Sequence, residues 1–143
     1  MNRNKWHYSH GFTLIELMIV IVILGLLATI IMPKILNRPE QARRTKAAVE
    51  IRQIESALAL FKTDTGRYPT TAEGLAALVT NPGIKNYNSE GYLPKIPVDP
   101  WGKPYVYISP SLAGRDYDLV SCGKDNEKGG TGDNADIESW NIE

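Results

Sequence analysis

The residue with the most unusual setting in this sequence is an acid inside an apolar run. Residues 12–32 read FTLIELMIVIVILGLLATIIM, and Glu16 is the one charged residue among them. A carboxylate is costly to place in an apolar medium, so it needs a partner or a function. No basic residue within the run can pair with it. The alternatives are a group from another subunit or a protonated carboxyl near lipid headgroups.

A free amine at the same depth would supply such a partner. If the chain were cut after Gly11, Phe12 would carry a new N-terminal amine close to Glu16 in sequence. Opposite charges attract strongly where water is excluded. Glu16 of one subunit could then pair with the Phe12 amine of a neighbour.

A second set of candidate ligands lies in residues 123–136, which read GKDNEKGGTGDNAD. Aspartate and asparagine supply the hard oxygen ligands that Ca²⁺ prefers, and glycines allow tight turns. The EF-hand spacing fails, because Asn126 and Glu127 are out of step with its ligand positions and Asp136 stands where that motif has glutamate. Spacing alone leaves a calcium loop and a solvated polar loop as alternatives.

Composition excludes several classes of protein. Cys122 is the only cysteine, so neither a disulfide framework nor a Cys/His zinc site can form within the chain. Both histidines, His7 and His10, precede the apolar run, which argues against a hydrolase with a histidine base. No Walker-type phosphate loop is present. Lys+Arg and Asp+Glu balance at 16 each among 143 residues, which gives no reason to expect nucleic-acid binding.

Residues 12–32 are long enough to cross a bilayer core of about 30 Å as one helix. The run is too long for the apolar part of a cleaved secretory signal. Counting the flanking positive charges predicts a cytoplasmic C-terminal part, because more basic residues follow the run than precede it. Arg3 and Lys5 precede it, and Lys34, Arg38, Arg43, Arg44 and Lys46 follow it.

An amphipathic helix is predicted to begin near Pro39. Its apolar face has helical spacing and consists of Ala47, Ile51, Ile54, Leu58 and Phe61. We expect the charges of the opposite face to be solvated; these are Arg44, Arg52, Glu55 and Lys62.

The remainder of the chain predicts a short helix, an irregular loop and a few strands. The short helix covers residues 71–79, with Thr70 or Thr71 as its cap. Residues 84–104 form the loop, in which Trp101 serves as a packing anchor. Strands are expected at 105–108 and 117–120, with a third near 137–140.

Two sets of residues resemble known families. Gly11-Phe12-Thr13-Leu14-Ile15-Glu16 before an apolar helix resembles the processing signature of type IV prepilins. Further runs, in order and spacing, resemble the major pseudopilins of type II secretion systems. These runs are Asn37-Arg38-Pro39, Gly66-Arg67-Tyr68-Pro69-Thr70-Thr71, Gly74-Leu75, Gly91-Tyr92-Leu93, Asp99-Pro100-Trp101-Gly102-Lys103-Pro104-Tyr105 and Tyr117-Asp118-Leu119.

The resemblance implies a pilin-like α+β fold. A long N-terminal helix, membrane-spanning in its first half and amphipathic in its second, would pack on a small domain with a short helix, an irregular loop and an antiparallel sheet. It implies a removed leader over 1–11, a transmembrane and assembly helix over 12–32 and a periplasmic domain over 33–143. This placement overrides the charge count and makes the protein a single-pass inner-membrane protein.

The resemblance also implies roles for individual residues. A membrane peptidase would cut between Gly11 and Phe12 and methylate Phe12, and Glu16 would act in assembly. One structural calcium ion would order the acidic loop. Its implied ligands are the side chains of Asp125, Asp133 and Asp136 and the backbone carbonyls of Cys122 and Lys128.

The implied function is that of a structural subunit and not of an enzyme. The subunits would form a homopolymer, the pseudopilus, which drives export of folded proteins across the outer membrane. Implied partners are minor pseudopilins, the prepilin peptidase, an inner-membrane assembly platform and the lipid bilayer, with no nucleic acid.

Three alternatives belong to other classes. A type IV pilin or minor pilin would serve adhesion, motility or DNA uptake, but most of these hold a C-terminal disulfide loop that one cysteine cannot form. A membrane-anchored calcium-binding module would need an exposed ligand face at the acidic loop. An anchored periplasmic enzyme is disfavoured, because no histidine follows the leader.

Overall fold

The computed structural model describes residues 11–36 and 38–142, with the side chains of residues 29–38 outside the description. The chain divides between Arg38 and Pro39 into two compact units, which are described separately. Most of the leader predicted over residues 1–11 lies outside the described residues.

The first unit contains helix α1, Leu14–Leu36. Every large apolar side chain from Leu14 to Leu27 is exposed in the isolated chain, by 47% to 78%. A helix that is apolar on all sides is normally covered by lipid or by other protein. Within the part of the chain that the structure describes, no helix meets both the length and the apolarity required of a membrane span.

The second unit is built on helix α2, Arg38–Thr65. The predicted apolar face is confirmed, because its members are at most 2% exposed and form the centre of the core: Ala47, Ile51, Ile54, Leu58 and Phe61. Gly66 ends the helix with a φ of 83°, and its N–H donates to the Lys62 carbonyl at 2.8 Å. Only glycine adopts this left-handed conformation without steric cost.

The charged face of α2 is solvated only in part, and two of its arginines bind distant backbone carbonyls. Arg44 donates to the carbonyl of Ala135, and Arg52 donates to the carbonyl of Ile142 at 2.6 Å. Both acceptors lie near the C-terminus. The arginines therefore hold the C-terminal segment against α2. The prediction of solvated charges is confirmed for Arg52 and Lys62, whose side chains are 53% and 46% exposed, but is wrong for the half-buried Arg44.

Three short strands form an antiparallel sheet in the order β1-β2-β3. They are β1 (Val106–Ile108), β2 (Asp118–Ser121) and β3 (Ile137–Glu138). Tyr107 pairs with Leu119, and Ser121 pairs with Ile137. All three predicted strands are confirmed, although β3 is shorter than expected because a 3₁₀ helix, Ser139–Asn141, follows it directly.

The loops carry two further 3₁₀ helices. The helix expected over residues 71–79 forms as a 3₁₀ helix, Gly74–Leu78, and a second lies within the acidic loop at Gly132–Asn134. In the irregular segment, Trp101 packs against the core and its Nε1 donates to Glu40 at 3.0 Å. Trp101 is therefore a packing anchor, as predicted.

Candidate functional sites

The predicted processing site lies where the first unit begins. Gly11, Phe12 and Thr13 are not helical, and α1 starts at Leu14. Phe12 is 87% exposed. A Cβ added to Gly11 would have no atom within 4 Å apart from those of its chain neighbours. A peptidase needs an accessible segment, and the described side of the predicted cut is exposed and outside the helix.

Glu16 forms a capping box with Thr13 at the start of α1. The backbone N–H and the hydroxyl of Thr13 each donate to Glu16 Oε2 at 2.9 Å, and the Glu16 N–H donates to Thr13 Oγ1 at 3.3 Å. These contacts satisfy N–H groups that the first turn of a helix leaves unpaired. They use a single carboxylate oxygen, so Oε1 stays outside the box. Among the described residues no cation forms an ion pair with Glu16.

The acidic loop joins β2 to β3 and is held by its own backbone. The N–H of Asp136 donates to the Gly129 carbonyl at 3.1 Å, and Gly129 N–H donates back to Asp136 Oδ2 at 2.9 Å. Asp125 Oδ1 accepts from the Glu127 N–H at 3.1 Å. Asp133 lies in the 3₁₀ helix Gly132–Asn134. The candidate ligands therefore share one loop. Asp136 lies directly before β3, and Asp125 lies in the segment that follows β2.

Asp136 has one oxygen without a partner. Its Oδ1 is buried and accepts no hydrogen bond from the residues that the structure describes. A buried carboxylate oxygen without a donor costs free energy, so a cation or an ordered water is the expected companion. Across the residues that the structure describes, no three Asp, Glu, His or Cys side chains converge closely enough to hold a metal by themselves. A metal here would need backbone carbonyls as well.

Two glycines bring the limbs of the acidic loop into close contact. A Cβ on Gly123 would lie 3.1 Å from the Ala135 carbonyl oxygen, and one on Gly130 would lie 2.5 Å from the Asn134 oxygen. Both glycines have positive φ angles, of 65° and 82°. Larger residues at these two positions would therefore displace the backbone carbonyl oxygens of Asn134 and Ala135.

A buried aspartate supports the loop, and sequence reasoning did not find its role. Asp99 is 4% exposed, and its Oδ2 accepts from the Ser121 hydroxyl at 2.7 Å. Its Oδ1 accepts from the N–H groups of Trp101 and Lys103 at 3.0 and 2.8 Å. The signal was the run from Asp99 to Gly102, because an aspartate before Pro-X-Gly often bonds to the turn backbone.

Negative charge is concentrated around Cys122, the predicted carbonyl ligand. Burial raises the pKa of its thiol, and the charges of Asp136, Asp99 and Asp125 raise that pKa further. The charge of Lys128 acts in the opposite direction and lowers that pKa. The Lys128 carbonyl, also predicted as a ligand, has no contact that tests its role.

A second capping box lies in the domain, before the 3₁₀ helix Gly74–Leu78. Thr70 donates to Glu73 Oε2 through its N–H at 2.7 Å and its hydroxyl at 3.1 Å, and the Glu73 N–H donates back to Thr70 Oγ1. Arg67 binds both oxygens of Glu73 at 2.7 Å. The arginine, aided by the Thr70 bonds, lowers the pKa of Glu73 to about 2.

Comparison with known proteins identifies the family. The model of type II secretion system protein G matches residues 34–140, and the model of the prokaryotic N-terminal methylation motif matches residues 6–32. The type II secretion system core protein G of Pseudomonas aeruginosa is 49% identical over 134 residues, which cover 91% of this chain and 94% of that protein. The core protein G of Vibrio cholerae is 46% identical over 142 residues, which cover 97% of each.

Solved structures agree with these matches. The crystal structure of the major pseudopilin from the type 2 secretion system of enterohaemorrhagic Escherichia coli superposes with a TM-score of 0.61 at 36% identity. The match covers 73% of this chain and 92% of that one. Both the pilin-like α+β fold and the resemblance to major pseudopilins are thereby confirmed. The chain therefore belongs to the type II secretion system protein G family, a family of structural pseudopilin subunits.

Proposed function

We propose that this chain is the major structural subunit of a type II secretion pseudopilus. The observation that carries the proposal is α1, whose apolar side chains from Leu14 to Leu27 are all exposed around one acid, Glu16. Such a helix requires a continuous apolar cover, which lipid supplies before assembly and neighbouring α1 helices supply afterwards. Polymerisation then exchanges one apolar environment for another.

Before assembly, the chain would reside in the inner membrane with its domain in the periplasm. A prepilin peptidase would cut between Gly11 and Phe12 and methylate the new terminus. The mature chain would then join other copies and minor pseudopilins on an inner-membrane platform. This chain has no nucleotide-binding loop, so the energy for assembly would come from an ATPase outside it.

Glu16 would guide each new subunit into register. Its Oε1 lies outside the capping box, and no cation among the described residues pairs with it. The Phe12 amine of a neighbouring mature subunit supplies a positive charge at the same depth. Because the attraction grows as water is excluded, the pair would form as the subunit enters the filament. The growing filament would push folded proteins through an outer-membrane channel.

A processing experiment tests the first step of this proposal. Gly11→Ala should leave an uncut precursor in the membrane, because the signature places glycine directly before the cut. Gly25→Ala is the matched control, since it makes the same change within α1 at a position with open space around it. N-terminal mass spectrometry of both variants is the measurement. Normal processing of Gly11→Ala would show that the processing site is misplaced.

We also propose that the acidic loop binds one structural calcium ion. The buried, unpartnered Oδ1 of Asp136 supports this, because calcium prefers carboxylate and carbonyl oxygens. The side chains of Asp125, Asp133 and Asp136 and the carbonyls of Cys122 and Lys128 would hold it. A bound ion would offset the mutual repulsion of these carboxylates and order a loop that has few apolar residues.

The calcium proposal is tested by the melting temperature of the unit from Pro39 to Glu143, with calcium and with chelator. Calcium at about 100 times its dissociation constant should add about 2.7 kcal/mol of stability. Asp136→Ala and Asp125→Ala should remove that gain. Glu127→Ala is the control, because it removes a carboxylate of the same loop that is not a predicted ligand. An unchanged melting temperature with chelator would refute the calcium site and leave the filament proposal intact.

A further inference from the structure

The backbone carbonyl of Ala135 has close contacts from two directions at the end of the acidic loop. The guanidinium of Arg44, on α2, donates to it. Gly123, in the other half of the loop, lies so near that a Cβ added there would be 3.1 Å from the same oxygen. Ala135 directly precedes Asp136, one of the proposed calcium ligands. Arg44 therefore binds the loop at the point where its two halves meet.

The same contact restrains the backbone that carries Asp136. The Ala135 carbonyl and the Asp136 N–H belong to one planar trans peptide unit, so they point in opposite directions. The carbonyl accepts from Arg44, and the N–H donates to the Gly129 carbonyl at 3.1 Å. This peptide unit cannot turn without breaking one of the two bonds. Because the Cα of Asp136 adjoins the unit, the two bonds restrict where the Asp136 side chain can point.

Arg44 binds the backbone beside Asp136 and not the Asp136 carboxylate. The two residues line the same surface cavity, yet no ion pair among the described residues joins them. Arginine and carboxylate groups form strong paired hydrogen bonds when their geometry allows it. Here the guanidinium is used on the main chain, and Asp136 Oδ1 is buried without a donor from the described residues. The carboxylate is thus left for a different cation.

Arg52 provides an internal comparison for Arg44. It donates to the Ile142 carbonyl at 2.6 Å, so it also binds the C-terminal segment to α2. Its contact follows β3, whereas the contact of Arg44 precedes β3 and adjoins the acidic loop. Arg52 also pairs with Glu55 at 2.9 Å. Loss of either arginine removes one bond to the C-terminal segment, but only loss of Arg44 releases the end of the loop.

We propose that Arg44 is a positioning residue of the calcium site, which holds Ala135 and Asp136 in the conformation that binds the ion. This role rests on the calcium proposal and adds to it a residue of α2 outside the ligand set. The charge of Arg44 separates this role from an electrostatic one. A guanidinium near the site repels Ca²⁺, so charge alone predicts that its removal strengthens binding. Positioning predicts weaker binding, because an unrestrained Asp136 loses conformational entropy when the ion binds.

Calcium titration of the full-length chain in detergent tests this role. Arg44→Met removes the guanidinium but keeps a long side chain, and it should weaken calcium binding by about 10-fold to 100-fold, as loss of a group that orients a metal ligand typically does. Arg44→Lys keeps the charge and a donor, so it should bind calcium more tightly than Arg44→Met. Arg52→Met is the control and should bind as the unsubstituted chain does. Isothermal titration calorimetry gives the dissociation constants. Equal or tighter binding by Arg44→Met, or equal weakening by Arg52→Met, would overturn the positioning role.

A second measurement is made without calcium. The N–H groups of Asp136 and Gly129 are bonded to each other's residue, at 3.1 and 2.9 Å, and their hydrogen exchange reports on the end of the loop. In chelator, both amides should exchange about tenfold faster in Arg44→Met than in the unsubstituted chain, because a bond to a charged donor is lost. Arg52→Met should leave their exchange unchanged. Unchanged exchange in Arg44→Met would overturn the positioning role, whereas absence of calcium binding by the unsubstituted chain would refute the calcium site itself.

Discussion

The two capping boxes of this chain have the same hydrogen bonds but different charge environments. Thr13 and Glu16 begin α1, and Thr70 and Glu73 precede a 3₁₀ helix of the domain. In each box the threonine N–H and hydroxyl donate to one glutamate oxygen, and the glutamate N–H donates back at 3.3 Å. Local sequence alone produces this arrangement, because its contacts span three residues.

The difference between the boxes is a single arginine. Arg67 binds both oxygens of Glu73 and also donates to the Tyr68 carbonyl at 3.0 Å. No described residue gives Glu16 an ion pair. The domain thus satisfies the charge of its box within one chain, whereas for the box of α1 we propose a partner from a neighbouring subunit.

Substituting glutamine for each glutamate separates capping from charge, since glutamine also completes a capping box. Glu16→Gln should be processed normally yet reduce filament yield on the order of tenfold or more, because it removes one member of the proposed pair with Phe12. Glu73→Gln should leave the filament yield of folded chains unchanged. Immunoblots of sheared filaments measure both. If Glu16→Gln assembled as well as the unsubstituted chain, Glu16 would be only a cap.

Removing the arginine should make the two boxes alike. Arg67→Met leaves Glu73 capped but without its cation, and we expect a loss of about 1–2 kcal/mol in the unfolding free energy of the domain. Lys46→Met is the control, because it breaks the exposed pair with Glu50 at 3.6 Å and should cost less than about 0.5 kcal/mol. Urea denaturation of the unit from Pro39 to Glu143 compares them. Equal losses would show that the Arg67–Glu73 pair contributes no more to the unfolding free energy than the exposed Lys46–Glu50 pair.

The domain box should also respond to acid. The pKa of Glu73 is about 2 in the folded chain, against an ordinary value of 4.5. A lowered folded pKa adds stability above the ordinary value, and that stability is lost as the pH falls from 4.5 toward 2. Melting temperatures across this range should fall less steeply in Glu73→Gln than in the unsubstituted domain. Equal slopes for the two proteins would show that the protonation of Glu73 does not cause this loss of stability.

The smallest effect is expected from the threonines. Thr70→Ala removes the hydroxyl of the domain box and should lower the unfolding free energy by roughly 1 kcal/mol. Thr13→Ala makes the same change in α1, which lies outside the domain unit, so the melting of the domain should not change. Calorimetry of the full-length chain in detergent checks both variants. A shift of the domain transition by Thr13→Ala would show that the two units are coupled.

Contacts could be predicted from the sequence only where the two partners are near one another in the chain. The apolar face of α2 from Ala47 to Phe61 was predicted correctly, because helical spacing is a local property. The environment of Arg44 on the same helix was not, since this arginine donates to the carbonyl of Ala135, which is 91 residues away. Nothing in the spacing of α2 identifies which distant carbonyl an arginine will bind.

The acidic loop shows the same limit within a predicted site. Its composition indicated hard oxygen ligands, and the resemblance suggested which aspartates would serve. Only the folded chain shows that Asp99 supports the loop through Ser121 and that Asp136 keeps one buried oxygen unpaired. These facts depend on how β2, β3 and the Asp99 turn pack together.

The sequence by itself determined the processing signature around Gly11, the acid at Glu16, the apolar run and the core face of α2. Each is encoded by neighbours within one or two helical turns, and the order of residues fixes such contacts. The tertiary structure decided which carboxylates have partners and where the two halves of the acidic loop meet. Those features join residues far apart in the chain, so packing of the whole domain sets them.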